Sequence, residues 1–153
     1  MILLYANFLG RVAAITASAQ VDPDYPLANL VDEARDTCMR TLSTANQHIQ
    51  FDIALSSPSC DYFFIDRGHN LAGATVRLVG SGTQDFSSPD QIFSLTASGD
   101  SAVFRTFTQE TYQYYRLYLE SLSAAPSIFG VYFGKSASLG KYPAGPCRPD
   151  TVR

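Results

Sequence analysis

The sequence predicts an all-β protein, an antiparallel β-sandwich of the jelly-roll type. Short apolar segments recur along the chain at a spacing of roughly 8–12 residues, which is typical of sandwiches and jelly rolls. Several of them alternate apolar with polar residues, the pattern of a strand that has one face on a core. At 153 residues, of which 46% are hydrophobic, the chain suits a single domain. A domain of this size buries roughly two-thirds of its unfolded surface and needs no disulfide bonds or metal ions for stability.

The N-terminal part combines an extended segment, an irregular loop and a short turn. Residues 1–9 are apolar, but no positive charge precedes them and Arg11 interrupts the pattern. They therefore predict a strand or an extended arm rather than a signal peptide. Two prolines within residues 21–26 exclude a central strand and predict a loop. Residues 29–42 predict a single helical turn.

The middle of the chain carries the clearest strand patterns. Residues 49–55 alternate apolar with polar or small side chains, and residues 62–65 form a continuous aromatic and β-branched run that predicts a strand buried on both faces. Residues 68–73 predict a corner whose leucine packs inward, because Gly and Asn favour turns. Residues 75–79 alternate again, and the glycines of residues 79–82 predict a turn.

Three more strands are predicted before the proline-rich C-terminal segment. Residues 92–95 and 103–108 each predict a short strand. In the strand that follows, Tyr114, Arg116 and Tyr118 share one face, which leaves the other face to apolar core residues. Tyr and Arg are enriched where proteins meet, so we predict that this outward face contacts a protein partner.

The C-terminal segment predicts an extended arm. The sandwich is predicted to span residues 1–134 and the arm residues 135–153, because the arm is rich in proline and lacks a strand-forming period. Proline-rich segments are stiff and lose little entropy on docking, so the arm is predicted to contact a neighbouring molecule through Tyr142 and the planar guanidinium of Arg148. The alternative is a floppy terminus.

Charge and cysteine content exclude several classes of partner. The chain has 11 basic and 14 acidic residues, a net charge of −3, and no basic block that would bind nucleic acid. Its three cysteines are widely spaced, which predicts neither a disulfide framework nor a metal pair. No apolar run approaches the roughly twenty residues of a membrane span.

The sequence predicts no enzyme and no cofactor. His48 and His69 are the two histidines of the chain, and neither belongs to a metal-ligand motif or accompanies a nucleophile elbow. A structural histidine that is hydrogen-bonded at a turn is the favoured interpretation. Sequence alone does not exclude a catalytic triad in which one of these histidines pairs with a nucleophile that is distant in the chain.

The predicted corner and its flanking strands resemble an element of galactose-binding-like domains, the β-sandwich superfamily that includes discoidin and coagulation-factor C-type domains. Other segments resemble that superfamily in the same order along the chain, and together they cover roughly residues 14–134. The matching segments are an opening strand at 16–18, a turn at 25–32, and strands at 48–55, 114–119 and 128–134.

This resemblance implies a structural calcium near the opening turn. Hard cations take six to eight oxygen ligands. The matching residues depart from the pattern, since Glu33 replaces a glycine and Arg35 adds a positive charge. We therefore expect no calcium, with Asp32 capping a turn instead. The candidate ligands would be Asn29, Asp32, Asp36 and Thr37.

The resemblance also implies two functions. The combination of a sandwich with a proline-rich tail and no signal peptide resembles domains of tailed-bacteriophage tail or baseplate proteins. It implies a non-enzymatic virion structural protein, made in the host cytoplasm and assembled in multiple copies with other virion proteins. The alternative is a carbohydrate-binding module that recognises a cell-surface glycan. A concave loop-end pocket with an aromatic floor would favour the glycan, and a flat aromatic face with a docked tail would favour assembly.

Overall fold

The computed structural model describes residues 2–7, 12–32, 36–53 and 59–138. These ranges hold eleven strands and one 3-10 helix, Leu27–Leu30. No helix in them is long and apolar enough to cross a membrane. The strands are β1 Ile2–Asn7, β2 Val12–Ala17, β3 Met39–Arg40, β4 Gln47–Ile53, β5 Ser59–Ile65, β6 Thr75–Ser81, β7 Asp90–Thr96, β8 Val103–Thr111, β9 Tyr114–Glu120, β10 Ser127–Ile128 and β11 Val131–Ser138.

Two antiparallel sheets form the sandwich. The five-stranded sheet has the order β2-β4-β9-β6-β7, and the four-stranded sheet has the order β1-β11-β5-β8. A small third sheet pairs β10 with β3. The predicted all-β sandwich is confirmed. The one described helical turn is the 3-10 helix, which begins two residues before the predicted range of 29–42 and ends at Leu30.

The core lies between the inner faces of the two large sheets. Phe133 of the four-stranded sheet contacts Phe51 and Tyr115 of the other, with ring centroids 5.4 Å and 5.1 Å apart. Along β9 the odd-numbered residues are fully buried and the even-numbered ones are half-buried, which confirms the predicted alternation. Leu71 is also buried, so the predicted corner packs inward.

The closing strand is longer than the sequence pattern indicates. β11 continues to Ser138, four residues past the predicted boundary at Gly134, and pairs with β1 from Gly134 onward. Backbone pairing holds this segment, and backbone pairing requires no apolar alternation. The predicted contact residues Tyr142 and Arg148 lie outside the described residues.

The predicted turn at residues 79–82 is wrong. Gly80 belongs to β6, where it pairs with Tyr115 of β9. A Cβ at position 80 would overlap the ring of Tyr112, so glycine is needed here for a close approach between a strand and an aromatic side chain. Gly82 lies beyond the strand, with open space around it.

Candidate functional site

A cavity of about 450 Å³ opens where three loops meet at one end of the sandwich. The first loop follows β5, the second precedes β8, and the third precedes β11. Neighbouring strands in antiparallel sheets alternate in direction, so these three loops lie at the same end. We name this space the Phe129 cavity, lined by Asp66, Arg67, Gly68, Asp100, Ser101 and Phe129.

Backbone hydrogen bonds join the three loops. The Asp66 N–H donates to the Gly130 carbonyl at 3.0 Å, and the Gly68 N–H donates to the Asp100 carbonyl at 2.9 Å. Gly68 has a φ of +89°, a conformation that favours glycine. A Cβ on Gly68 would lie 3.6 Å from the ring of Phe129, so the ring packs directly against this turn.

A buried histidine, His69, hydrogen-bonds to one of the loops that line the cavity. The Leu71 N–H donates to Nδ1 of His69 at 3.3 Å, which leaves the proton on Nε2. Nε2 then donates to the Ser101 carbonyl at 2.9 Å. His69 is 1% exposed. It is therefore a structural histidine at a turn, and it positions Ser101 at the cavity.

The lining groups combine planar polar chemistry with an aromatic surface. Asp66 and Asp100 supply carboxylates, Arg67 a guanidinium, Ser101 a hydroxyl and Phe129 a ring. Asp66 Oδ1 accepts a hydrogen bond from the Arg67 backbone N–H at 2.8 Å, which orders the two residues together. Carboxylates accept, guanidinium groups donate, and an aromatic ring binds an apolar face. The cavity is thus suited to a polar, hydroxyl-bearing ligand that has one apolar face.

Three of the four candidate calcium ligands make hydrogen bonds within the protein. The amide nitrogen of Asn29 donates to the Cys38 carbonyl at 2.8 Å, and the Thr37 hydroxyl lies 3.0 Å and 3.1 Å from the two carboxylate oxygens of Asp32. Asp36 is exposed. The described residues contain no cluster of three His, Cys, Asp or Glu side chains that could hold a metal. Residues 33–35 of this turn lie outside the described residues, and the expectation that no calcium is required stays a prediction.

The predicted protein-contact residues of β9 lie on the outer face of the five-stranded sheet, where Arg116 and Tyr118 stack on planar groups of neighbouring residues. The Arg116 guanidinium is 3.9 Å from the ring centroid of Phe86. Tyr118 lies between His48, at 5.3 Å, and the guanidinium of Arg77, at 4.2 Å. Tyr114 occupies the next outward position on β9 and is half-buried.

The surroundings shift the pKa values of two side chains of types that often take part in catalysis. Burial raises the pKa of the Cys60 thiol to about 12, so at neutral pH the thiol is protonated and a poor nucleophile. Partial burial, and secondarily the positive charge of Arg116, lower the pKa of His48. His48 is therefore neutral near pH 7 and packs against Tyr118.

Sequence reasoning missed the residues of the Phe129 cavity. They come from three loops that are far apart in the chain, so no local spacing unites them. One signal was available: Asp66, Arg67 and Gly68 directly follow a buried strand, and polar loop residues at a strand end are frequent binding residues. Phe129 had been assigned to the closing strand, but it lies between β10 and β11.

No protein-family model and no curated protein matches this chain. Solved structures do match. Chitosan-binding module 1 from a chitosanase/glucanase of Paenibacillus sp. IK-5 aligns with a TM-score of 0.73 at 16% identity, covering 86% of this chain and 100% of the module. The module CpGH89CBM32-5 from Clostridium perfringens, in complex with GalNAc-β-1,3-galactose, aligns with a TM-score of 0.69 at 15% identity, covering 85% and 100%.

A third structure is the CBM32 module of AlyQ, in complex with 4,5-unsaturated mannuronic acid. It aligns with a TM-score of 0.64 at 25% identity, covering 84% of this chain and 98% of the module. The fold is therefore the galactose-binding-like, discoidin-type β-sandwich of CBM32 carbohydrate-binding modules. These neighbours give no support to the predicted place in a phage particle, which stays a prediction.

Proposed function

We propose that this chain is a carbohydrate-binding module that binds a glycan in the Phe129 cavity. The observation that carries the proposal is a concave loop-end cavity in which an aromatic ring adjoins a guanidinium, two carboxylates and a hydroxyl. Sugar sites need this combination of an aromatic surface and a few planar hydrogen-bonding groups. The structural neighbours, which are carbohydrate-binding modules, support the same reading.

Each lining group has a definite task in this proposal. The Phe129 ring packs against the apolar face of one sugar unit. Asp66 and Asp100 accept hydrogen bonds from hydroxyl groups, and Arg67 donates to ring or hydroxyl oxygens. Ser101, whose backbone is held by His69, can donate and accept at the same time.

The charge of the cavity favours some sugars over others. The three structural neighbours named above are a chitosan-binding module, a module in complex with a neutral disaccharide and a module in complex with an acidic sugar. Here two carboxylates face one guanidinium, so the lining carries a net negative charge. A uronic acid would be repelled, whereas a neutral or amino sugar would not. We infer a preference for neutral or amino sugars.

The proposed module binds without catalysing a reaction. Both ring nitrogens of His69, the histidine nearest to the cavity in sequence, are engaged in hydrogen bonds that hold the loops. The high pKa of Cys60 keeps its thiol protonated. A binding role needs neither group, and both then serve the fold.

Calorimetric titration of the full chain tests the proposal. The ligands are glucosamine oligomers, GalNAc-β-1,3-galactose and mannuronate oligomers. We expect binding in the first or second series, weakened about tenfold or more by Arg67→Ala, because a lost hydrogen bond to a charged group costs about 1.5–3 kcal/mol. Asp100→Asn should weaken binding as well.

Two matched variants control for general effects. Arg77→Ala removes a guanidinium from the outer face of the five-stranded sheet, and Asp85→Asn neutralises an exposed carboxylate in the loop after β6. Neither should change the affinity. The proposal fails if the unaltered chain binds none of the three series, or if the cavity variants and the control variants bind alike.

A further inference from the structure

Three aromatic rings form a row on the outer face of the four-stranded sheet. Tyr132 of β11 is paired with Phe64 of β5, and Phe64 is paired with Phe104 of β8. The ring centroids are 5.7 Å apart in the first pair and 6.4 Å apart in the second. We name these three residues the aromatic row. Cross-strand neighbours on one sheet face stand side by side, so the row forms a continuous apolar surface.

One end of the row is open to solvent. Phe104 is 38% exposed, and in the described part of the chain only Leu42 is also a large apolar side chain with comparable exposure. Phe64 and Tyr132 are half-buried. A contiguous apolar patch on a protein surface is a candidate binding site.

The aromatic row adjoins the Phe129 cavity. Asp66 follows the β5 strand that carries Phe64, and Ser101 precedes the β8 strand that carries Phe104. A second cavity of about 170 Å³ lies beside this strand start, and both Ser101 and Phe104 line it. Ser101 therefore lines both cavities.

The second cavity differs from the first in charge. Its charged lining residue is Arg105, and the other lining residues, from 95–98 and 101–104, are uncharged. The Arg105 side chain donates to the Phe104 carbonyl at 3.0 Å, which holds the guanidinium against the backbone of β8. Among the residues that line the second cavity, Phe104 supplies an aromatic ring and Arg105 supplies hydrogen-bond donors, two kinds of group that sugar sites combine.

We propose that the second cavity and the aromatic row bind the next units of the glycan whose first unit occupies the Phe129 cavity. This inference rests on the proposed function and gives it a substrate class, an oligosaccharide rather than a single terminal sugar. A protein partner is a poorer occupant, because a stable protein interface buries about 800 Å² on each side and the row is narrow. Because Ser101 lines both cavities, the second cavity lies next to the first, as one extended ligand requires.

The test compares affinities for sugars of increasing length in the glucosamine and galactose-containing series. For the unaltered chain we expect the tetrasaccharide to bind about five- to tenfold more tightly than the monosaccharide, the gain expected from one aromatic contact. Phe104→Ala should abolish this gain and leave the monosaccharide affinity unchanged. Phe104 lies on an edge strand and is partly exposed, so the variant is expected to fold.

Tyr118→Ala is the matched control, since it removes a half-buried aromatic side chain from the outer face of the opposite sheet. The Tyr118→Ala variant should retain the full gain in affinity with increasing sugar length. Affinities that do not depend on length, or a gain that Phe104→Ala preserves, would overturn the extended site while leaving the Phe129 cavity intact. If the unaltered chain binds no sugar of either series, both the extended site and the proposed function fail.

Discussion

The guanidinium of Arg116 lies over the ring of Phe86, 3.9 Å from its centroid. Arg116 Nε also donates to Gln50 Oε1 at 2.9 Å, so the guanidinium links β9, β4 and the loop after β6. Phe86 has a φ of 55°, which is unfavourable for a residue with a side chain. The stack with Arg116 therefore holds a strained loop on the outer face of the five-stranded sheet.

Arg116→Lys should lower the free energy of unfolding by about 1–2 kcal/mol. Lysine keeps the charge, but it lacks the planar group that stacks on Phe86 and bonds to Gln50. Urea denaturation measures the effect. Arg105→Lys, on an exposed side chain of β8, should stay within about 0.5 kcal/mol of the unaltered protein. Equal stability of the two variants would mean that Arg116 does not anchor the loop.

Gly80→Ala should destabilise the protein by about 1–3 kcal/mol, because the added methyl group would overlap the Tyr112 ring. Tyr112 is itself held by a hydrogen bond from its hydroxyl to Asp90 at 2.8 Å, so the ring cannot move without breaking that bond. Gly82→Ala is the control, since nothing lies within 4 Å of its Cβ position. Thermal unfolding of both variants provides the comparison, and similar melting temperatures would refute the close approach.

Low pH should reduce the free energy of unfolding, because Asp61 becomes protonated. Burial by itself raises the pKa of this carboxyl, but hydrogen bonds from Lys135 and the Ser136 backbone outweigh burial and hold the pKa below its ordinary value of 3.8. The Lys135 Nζ lies 2.9 Å from Asp61 Oδ2. Because the folded-state pKa is lowered, the stabilisation is present above the ordinary value and disappears as the pH falls through the folded-state value.

We therefore expect Asp61→Asn to reduce the loss of stability between about pH 7 and about pH 3. Urea denaturation across this range measures the loss. Asp24→Asn, at an exposed position of the loop before the 3-10 helix, should leave the pH profile unchanged. Parallel profiles for Asp61→Asn and the unaltered chain would show that the ion pair contributes nothing.

Calcium should not raise the melting temperature. Asn29 hydrogen-bonds to Cys38 and Asp32 to Thr37, and Arg35 adds a positive charge to the sequence of this turn. A ligand that binds only the folded state, at a hundred times its dissociation constant, would add about 2.7 kcal/mol of stability. A clear rise in melting temperature when calcium is added to chelated protein would contradict this prediction and identify Asp32 and Asp36 as candidate ligands.

The sequence predicts the sandwich better than it predicts the site. The strands at Phe51 and Tyr115 carry an alternation that burial requires, and the corner at Leu71 carries turn-forming residues, so both are visible in the chain. The end of β11 cannot be predicted from the sequence. Ser136 pairs with β1 through its backbone, and backbone pairing leaves no pattern of side chains. The Phe129 cavity arises from packing between distant loops, which no local pattern encodes.

The central claim, that a glycan binds at the Phe129 cavity, is tested most directly by nuclear magnetic resonance. Backbone amide shifts are recorded while glucosamine oligomers or GalNAc-β-1,3-galactose are added to the full chain. We expect the shifts to cluster at residues 66–68, 100–101 and 129, and we expect the longer sugars to extend them to Phe104. Shifts confined to the face formed by His48, Arg116 and Tyr118, or no shifts with any of these sugars, would contradict it.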